Sequence, residues 1–422
     1  MIALGGGIAI PPGEFLEEQE RFAYGATVKL TDSVVSANRV GPTATVPFGP
    51  PCPNGRNCPF AAAGGGGIDN WGALTLERTQ VSNNLAAGVA SDATGGGINI
   101  DQGSLNLRNS TITGNRVIAG VPNGRYAEGG GIFTNEQVAL RVRGGAISGN
   151  EASLTSKLPY FVGDADGNTI DMNANGGAAH VGGGSTISIA HARINENRVS
   201  VDDPNGEPYA FDSAIHFSEG STIDVHHSTI EDNGVRAKVG SSEHVGPSGS
   251  ALDIAGPSRG GPGPQTISHV RFTGNTTLVT SEDGEAQAAP GALYNGTATR
   301  ITHSVISGNR LTARSAEGSA SAFGAGVLND GARLVLEHDL IEDNHAIATG
   351  AEGFARGGGI WNGKLFLEKP PHLRLEHTRV IGNTLRASPG LPVEGGGIFT
   401  AFPVALDHSR IAHNVPDQCF GC

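Results

Sequence analysis

The chain has 422 residues, of which 65 are glycine, 5% aromatic and 37% hydrophobic, with a formal net charge of −13. The hydrophobic content is too high for a disordered chain and low for an α/β enzyme of this size. The acidic balance disfavours nucleic acid and anionic membranes as partners, since both need clustered Lys and Arg, and no run of apolar residues is long enough for a transmembrane helix.

The first residues, MIALGGGIAI, have neither a basic stretch nor an apolar core of signal-peptide length. They begin in mid-repeat, so an N-terminal cap or leader segment is expected upstream. From there two motifs alternate to the end. One is small-Gly-Gly-apolar, with its apolar residue at Ile8, Ile68, Ile98, Ile132, Ile360 and Ile398, and in weaker form at Ala179 (GGAA), Ile215 (DSAI), Leu252 (GSAL), Leu293 (PGAL) and Val327 (GAGV). The other is apolar-x-x-Asn, ending at Asn38, Asn84, Asn115, Asn150, Asn197, Asn233, Asn275, Asn309, Asn344, Asn383 and Asn414. Strict alternation of eleven copies each marks a solenoid of about eleven coils.

Within a coil the period is two. Leu74 and Leu76 flank a polar residue, Val81 opens a second short run, and Ile68 of GGGI belongs to a third. Three strands per coil, each too short to form a sheet alone, must pair with the next coil. The expected fold is therefore all-β: a right-handed single-stranded parallel β-helix of the pectin-lyase type, one domain over 1–422. The residues three before each Asn, from Val35 to Ile411, are all apolar and should line the interior. The Asn side chains should stack at a sharp turn, where Asn tolerates left-handed backbone.

Variable length after each Asn places loop insertions near 39–64, 151–175 and 276–290. The first holds Cys52 and Cys58, and Cys419 and Cys422 lie near the other end of the solenoid. Two local disulfides are expected in an exported chain, with a redox role the alternative for the terminal CxxC. The second holds Asp164, Asp166, Asn168 and Asp171, whose oxygens alternate around a glycine as in calcium loops but without the closing Glu. A calcium-ordered loop and a plain acidic turn both fit, and calcium is the one cofactor the sequence raises.

Six residues before each Asn runs the row Asp32, Arg78, Asn109, Gly144, His191, His227, His269, His303, His338, His377, His408. A stacked turn ladder is the preferred reading, and a metal-binding rail the alternative. Repulsion between neighbouring imidazolium ions should lower the pKa values along it. A second row follows the GGGI apolar residue and should face outward: Phe133, His180, His216, Asp253, Tyr294, Leu328, Trp361 and Phe399. These side chains either contact carbohydrate or pack under the loops. Outward positions on the Leu-x-Leu strands give Arg141, Arg143, Asp224 and His226, the candidates for a small catalytic site on neighbouring coils.

The paired GGGI and FTGN, ITGN or ISGN motifs resemble the repeats of polymorphic outer-membrane proteins and of the bacterial right-handed parallel β-helix repeat proteins. The resemblance covers nearly the whole chain. It implies a secreted or surface-exposed protein, an adhesin or autotransporter passenger, although the membrane β-barrel of an autotransporter is not in this sequence. The expectation is an exported or cell-surface, monomeric, non-enzymatic adhesion or carbohydrate-contact module, meeting polysaccharide or a host or neighbouring cell surface. The alternative is a polysaccharide lyase or glycoside hydrolase on the same scaffold.

Overall fold

The computed structural model describes residues 2–4, 6–11, 15–16, 21–22, 25–41, 62–88, 92–120, 126–155, 172–203, 208–240, 249–254, 265–367 and 369–422. Cys52, Cys58, Asp164, Asp166, Asn168 and Asp171 lie outside these residues. The described chain is an all-β parallel β-helix. One coil shows the plan: an entry strand (Ala62–Gly64), a motif strand (Ile68–Asn70), a Leu-x-Leu strand (Ala73–Glu77), a pre-Asn strand (Gln80–Ser82) and a post-Asn strand (Leu85–Gly88). Each pairs in parallel with its counterpart in the next coil, Ala63 with Ala93, Ile68 with Ile98, Leu74 with Leu105, Val81 with Ile112 and Ala86 with Val117. Like residues thus stack about 4.8 Å apart along the solenoid.

The coil has two strands more than the period-two pattern shows. The post-Asn and entry strands bury small residues, Ala63, Ala86, Ala93, Ala119, Ala127 and Ala152 among them, so they carry little hydrophobic contrast. The stretch 276–290, read as a loop, belongs largely to them: Thr276–Ser281 and Ala286–Ala288 are strands in register with Arg310–Ser315 and with Ala320–Ala322.

The interior therefore has two lobes. Motif, Leu-x-Leu and pre-Asn strands enclose a wide core of Ile, Leu, Val and Phe, including Ile68, Leu74, Leu76, Val81 and Phe272. Full burial of one such side chain stabilises by about 1.5–3 kcal/mol. Post-Asn and entry strands close a narrow, Ala-rich lobe. A waist separates the two, where the two small residues preceding each motif strand, both glycine in the GGGI coils, meet the Asn row. A methyl on Gly66 would lie 2.7 Å from the Leu85 carbonyl carbon, and one on Gly67 would lie 2.9 Å from Asn84 Cγ. In this coil two backbones approach with little room for a Cβ, which favours glycine, while coils carrying Ala178, Ala214, Ala251 and Ala292 at the second position seat a methyl there.

The Asn row forms an unbroken ladder. From Asn38 to Asn383 each backbone N–H and each Nδ2 donates to Oδ1 of the next Asn, and from Asn84 onward Nδ2 also donates to the carbonyl three residues before the preceding Asn. Asn414 hands both bonds to Gln418 Oε1 at 3.1 Å. The left-handed residue is not the Asn itself. It is the residue before it, such as Asn83 (φ 55°), Gly114 (63°), Asp232 (55°) or Gly382 (70°). That turn aims the Asn side chain inward, where all its polar atoms must be bonded to be buried.

Near the C-terminus Cys419–Phe420 adds to the motif sheet beside Ile398–Phe399, and the Asp417 carboxylate accepts from the N–H groups of Gly395 and Gly396. Cys419 and Cys422 form a disulfide.

Candidate functional site

The first residue of each Gly-rich motif bends the coil outward-concave. It is left-handed in Gly65 (φ 65°), Gly95 (57°), Gly129 (67°) and Gly176 (62°), and so entry and motif strands meet at an external notch. The outward row predicted after the GGGI residue lies on the floor of this notch, and outward residues of the entry strands form one wall. Contacts across it include Thr94 Oγ1 with Asn99 Oδ1 at 3.3 Å, Glu128 with His180 at 3.9 Å, and Phe323 with Trp361 at a ring distance of 5.5 Å.

The row divides into three stretches. Toward the N-terminus Asp69, Asn99 and Asp101 share one set of bonds, with Asn99 Nδ2 donating to Asp69 at 2.7 Å and to Asp101 at 2.8 Å. Burial raises both acids, and the Asp69 charge helps lift Asp101 to about 7. Toward the C-terminus the aromatics pack into a small third core. Leu328, Trp361, Ala289 and Phe323 are buried, Tyr294, Phe354, Leu365 and Phe399 pack on them, and the Arg356 guanidinium lies over Phe354 and Phe399. The Tyr294 hydroxyl donates to Asp330 at 2.9 Å, and burial with this carboxylate raises its pKa. Trp361 and Leu328 are therefore not free platforms for a sugar ring.

Between them lies a titratable cluster. Phe133, His180 and His216 stack in consecutive coils at 5.2 and 4.9 Å. His216 Nδ1 faces two carboxylates, Asp212 at 2.6 Å and Asp253 at 3.3 Å, and Ser250 Oγ donates to the other Asp212 oxygen. Burial pulls His216 down, but hydrogen bonds to Asp212 and Asp253 outweigh it and raise it to about 10. Burial, with the Asp253 charge, lifts Asp212 to about 7. Burial likewise lifts Glu128 to about 7. His180, buried beside the His216 cation, is pushed well below its usual value, and its Nδ1 has no hydrogen-bond partner. The cluster thus holds an imidazolium, a neutral imidazole and protonatable acids within a few ångströms.

Asp212 and Ser250 were not among the residues singled out from the sequence. Their signal is nevertheless present: Asp212 opens DSAI where the motif elsewhere has its left-handed glycine, Ser250 replaces the second glycine in GSAL, and both hold left-handed backbone (φ 56° and 76°). At Asp212 the exchange of glycine for a carboxylate places an acid against His216 that the other coils lack.

Known families, characterised proteins and solved structures give no match to this chain.

Beside the cluster a cavity of about 560 Å³ opens on the turns between motif and Leu-x-Leu strands. Phe133 and His180 line its inner end, and Asn135, Glu136, Gln137, Ser218 and Glu219 its rim. The catalytic candidates on the Leu-x-Leu strands do not come together. Arg141 pairs with Ser188 and Ser188 with Asp224, while Arg143 pairs with Ala190 and Ala190 with His226. A whole coil separates the arginines from the acid and the histidine. The rows Asn150, Asn197, Asn233 and Gly144, His191, His227 already mark this intervening coil in the sequence.

The histidine row is exposed and continuous. From His191 to His408 successive rings stack at 4.6 to 5.1 Å. All eleven residues of the row are left-handed, from Asp32 (φ 50°) to His408 (46°). His227 is lowered by partial desolvation and by the charges of His269, His191 and His226.

Proposed function

We propose that the chain is an exported, cell-surface β-helix that binds polysaccharide without cleaving it. The observation that carries this reading is the cavity beside Phe133 and His180. Its volume suits a small ligand, and it combines an aromatic inner end with carboxamide and carboxylate groups at the rim, the mixture that orients hydroxyl-rich ligands. His180 is sandwiched between Phe133 and His216, so it offers a ring edge, and specificity rests with Asn135, Gln137 and Glu219. The Cys419–Cys422 disulfide agrees with an oxidising compartment.

The rival reading, a polysaccharide-active enzyme, is favoured by the Asp212–His216–Asp253 cluster next to the cavity. Two features count against it. Both carboxylates address one nitrogen of one imidazole, whereas a glycosidase sets its two carboxyl groups on either side of the scissile bond. His216 is held as a cation, which removes it as a base for a lyase at neutral pH. A glycan array probed with the intact chain, followed by titration of retained glycans, tests the proposal. Gln137→Ala with Glu219→Ala should weaken binding, and retention of no glycan, or binding indifferent to both changes, would overturn it. Release of reducing ends or unsaturated sugar, abolished by His216→Gln, would establish the enzyme instead.

A further inference from the structure

Where the rings of the histidine row are parallel and in register, no pair is close enough to chelate a metal. Corresponding nitrogens of parallel rings lie about one coil apart, near 4.8 Å, while two imidazole nitrogens on one zinc ion, at about 2.0–2.1 Å each, can be at most about 4.2 Å apart. One place breaks this rule. The residue before each row member is Ala190, His226, Ser268, Thr302, Glu337, Glu376 and Asp407 over the histidine-bearing coils, so a second imidazole enters only at His226. The residue in register with it on one side is Ala190 and on the other Ser268, both small, which leaves room for the ring to reach the row.

The His226 ring stands edge-on to its neighbours, at 85° to His191 and 90° to His227, with centroids 5.9 and 5.4 Å away. Its Nδ1 lies 3.2 Å from His227 Nδ1. That distance is close to the edge of a tetrahedron around zinc, about 3.3–3.4 Å for nitrogen ligands. One nitrogen from each of His191, His226 and His227 falls within 4.8 Å of the other two. His191 and His227 are themselves row neighbours, but their rings are tilted by 28° and both are exposed. A ring shift of under about 1 Å therefore brings their nitrogens within the limit of about 4.2 Å around a metal that His226 helps to hold. The rings belong to two adjacent coils and to the end of a paired strand, so the backbone fixes their relative positions. His191 and His227 are exposed and His226 half-buried, which leaves the side facing solvent open. Arg193, two residues beyond His191, is paired with Glu231 at 2.6 Å, and Arg143 lies one coil away in register with Ala190.

We infer that His191, His226 and His227 form a site for a divalent transition metal of the zinc, nickel or copper class, bound through three imidazoles with a further position left to water or to an external ligand. The site is independent of the polysaccharide reading, since it lies on another face and uses none of the cleft residues.

Calorimetric titration of the metal-free intact chain with Zn²⁺ tests it, with Co²⁺ absorption as a report of coordination. One equivalent should bind, and Co²⁺ should show the visible bands of a site with three nitrogen ligands. His226→Ala should weaken binding by at least about tenfold, with the circular dichroism melt confirming an intact fold. His338→Asn, in the same row but without a second imidazole beside it, should bind as the parent does. Absence of stoichiometric uptake would overturn the site. So would equal weakening by His338→Asn, which would mean diffuse binding along the row, or uptake lost in Asp212→Asn and kept in His226→Ala.

Discussion

At the scale of single residues, backbone handedness decides more of this sequence than side-chain chemistry does. Each coil must place residues in left-handed conformation, a region that costs ordinary residues about 1–2 kcal/mol and that Asn, Asp and His enter more readily than most. The histidine row is first a solution to that turn, and the ring stack follows from it. His269→Asn should therefore leave stability nearly unchanged, whereas His269→Val should cost about 1–2 kcal/mol in urea unfolding, because a β-branched residue resists the φ of 55° found there. Equal midpoints for the two variants would mean that the ring stack, not the turn, selects histidine. The same logic isolates Asp212. Asp212→Gly restores the motif residue and relieves the backbone but removes the nearest carboxylate from His216. His216 should then titrate well below its value of about 10, read from its ring C–H resonances across pH. An unmoved titration would assign the shift to Asp253 alone.

At the scale of elements, the waist is the feature on which coil shape depends. Gly97 has no positive φ, so its requirement is purely spatial: a Cβ would sit 2.6 Å from the Gly131 carbonyl oxygen and 2.9 Å from Asn115 Cγ. Ala178, Ala214, Ala251 and Ala292 hold this position in four other coils with the ladder intact, so one methyl can be absorbed there. Gly97→Val, whose branch meets Asn115, must push the ladder away from the motif strand, and a loss of about 3 kcal/mol is expected for it. Gly120→Ala, where the one described atom within 4 Å is a carbonyl oxygen at 3.8 Å, should be neutral. Comparable denaturation midpoints for the two would refute the waist. These elements were unequally legible. Ile, Leu and Val at period two disclosed the wide lobe, and the motif alternation disclosed the coil, because both place strong hydrophobic contrast at fixed spacing. The Ala-lined post-Asn and entry strands escaped, since alanine marks close approach here rather than a hydrophobic stripe. The Asn ladder was legible as a row but misplaced by one residue in its turn. Asp212 and Ser250 were visible only as departures from a glycine, and the His191–His226–His227 cluster only as the single His-His pair in the row. Its geometry requires the register between coils.

At the scale of the whole molecule, stacking buries titratable groups far apart in sequence, and their proton affinities act in one direction. Burial raises Asp101, Glu128, Asp212 and Asp339 to about 7 from the usual carboxyl value, and the two carboxylates on His216 hold it near 10. A folded state that binds protons more tightly than the unfolded chain loses stability as pH rises. For the acids the loss begins above the unfolded value near 4 and is complete above about 7; for His216 it begins near 6.5 and continues toward 10. His180 opposes them at low pH, because a buried neutral imidazole resists protonation below about 6.5. The exposed pairs, such as Arg78 with Asp32 and Glu77, are screened and add little. Stability should thus decline from about pH 5 to pH 9, through the buried acids up to about pH 7 and through His216 beyond it, by an amount on the order of a few kcal/mol. Asp101 and Asp339 offer a check, since neither touches His216; an Asn in their place keeps an acceptor oxygen for the Asn99 amide and the Ser304 N–H but gives up the bond that Asp339 accepts from the Glu337 N–H, so the slope with pH is compared and not the melting temperature itself. The double variant Asp101→Asn, Asp339→Asn should melt at a temperature less sensitive to pH than the parent over this range. A parent whose melting temperature rises toward pH 9, or a double variant with an unchanged slope, would show that these carboxyls are ionised in the folded solenoid and draw compensation from groups other than those lining the coils.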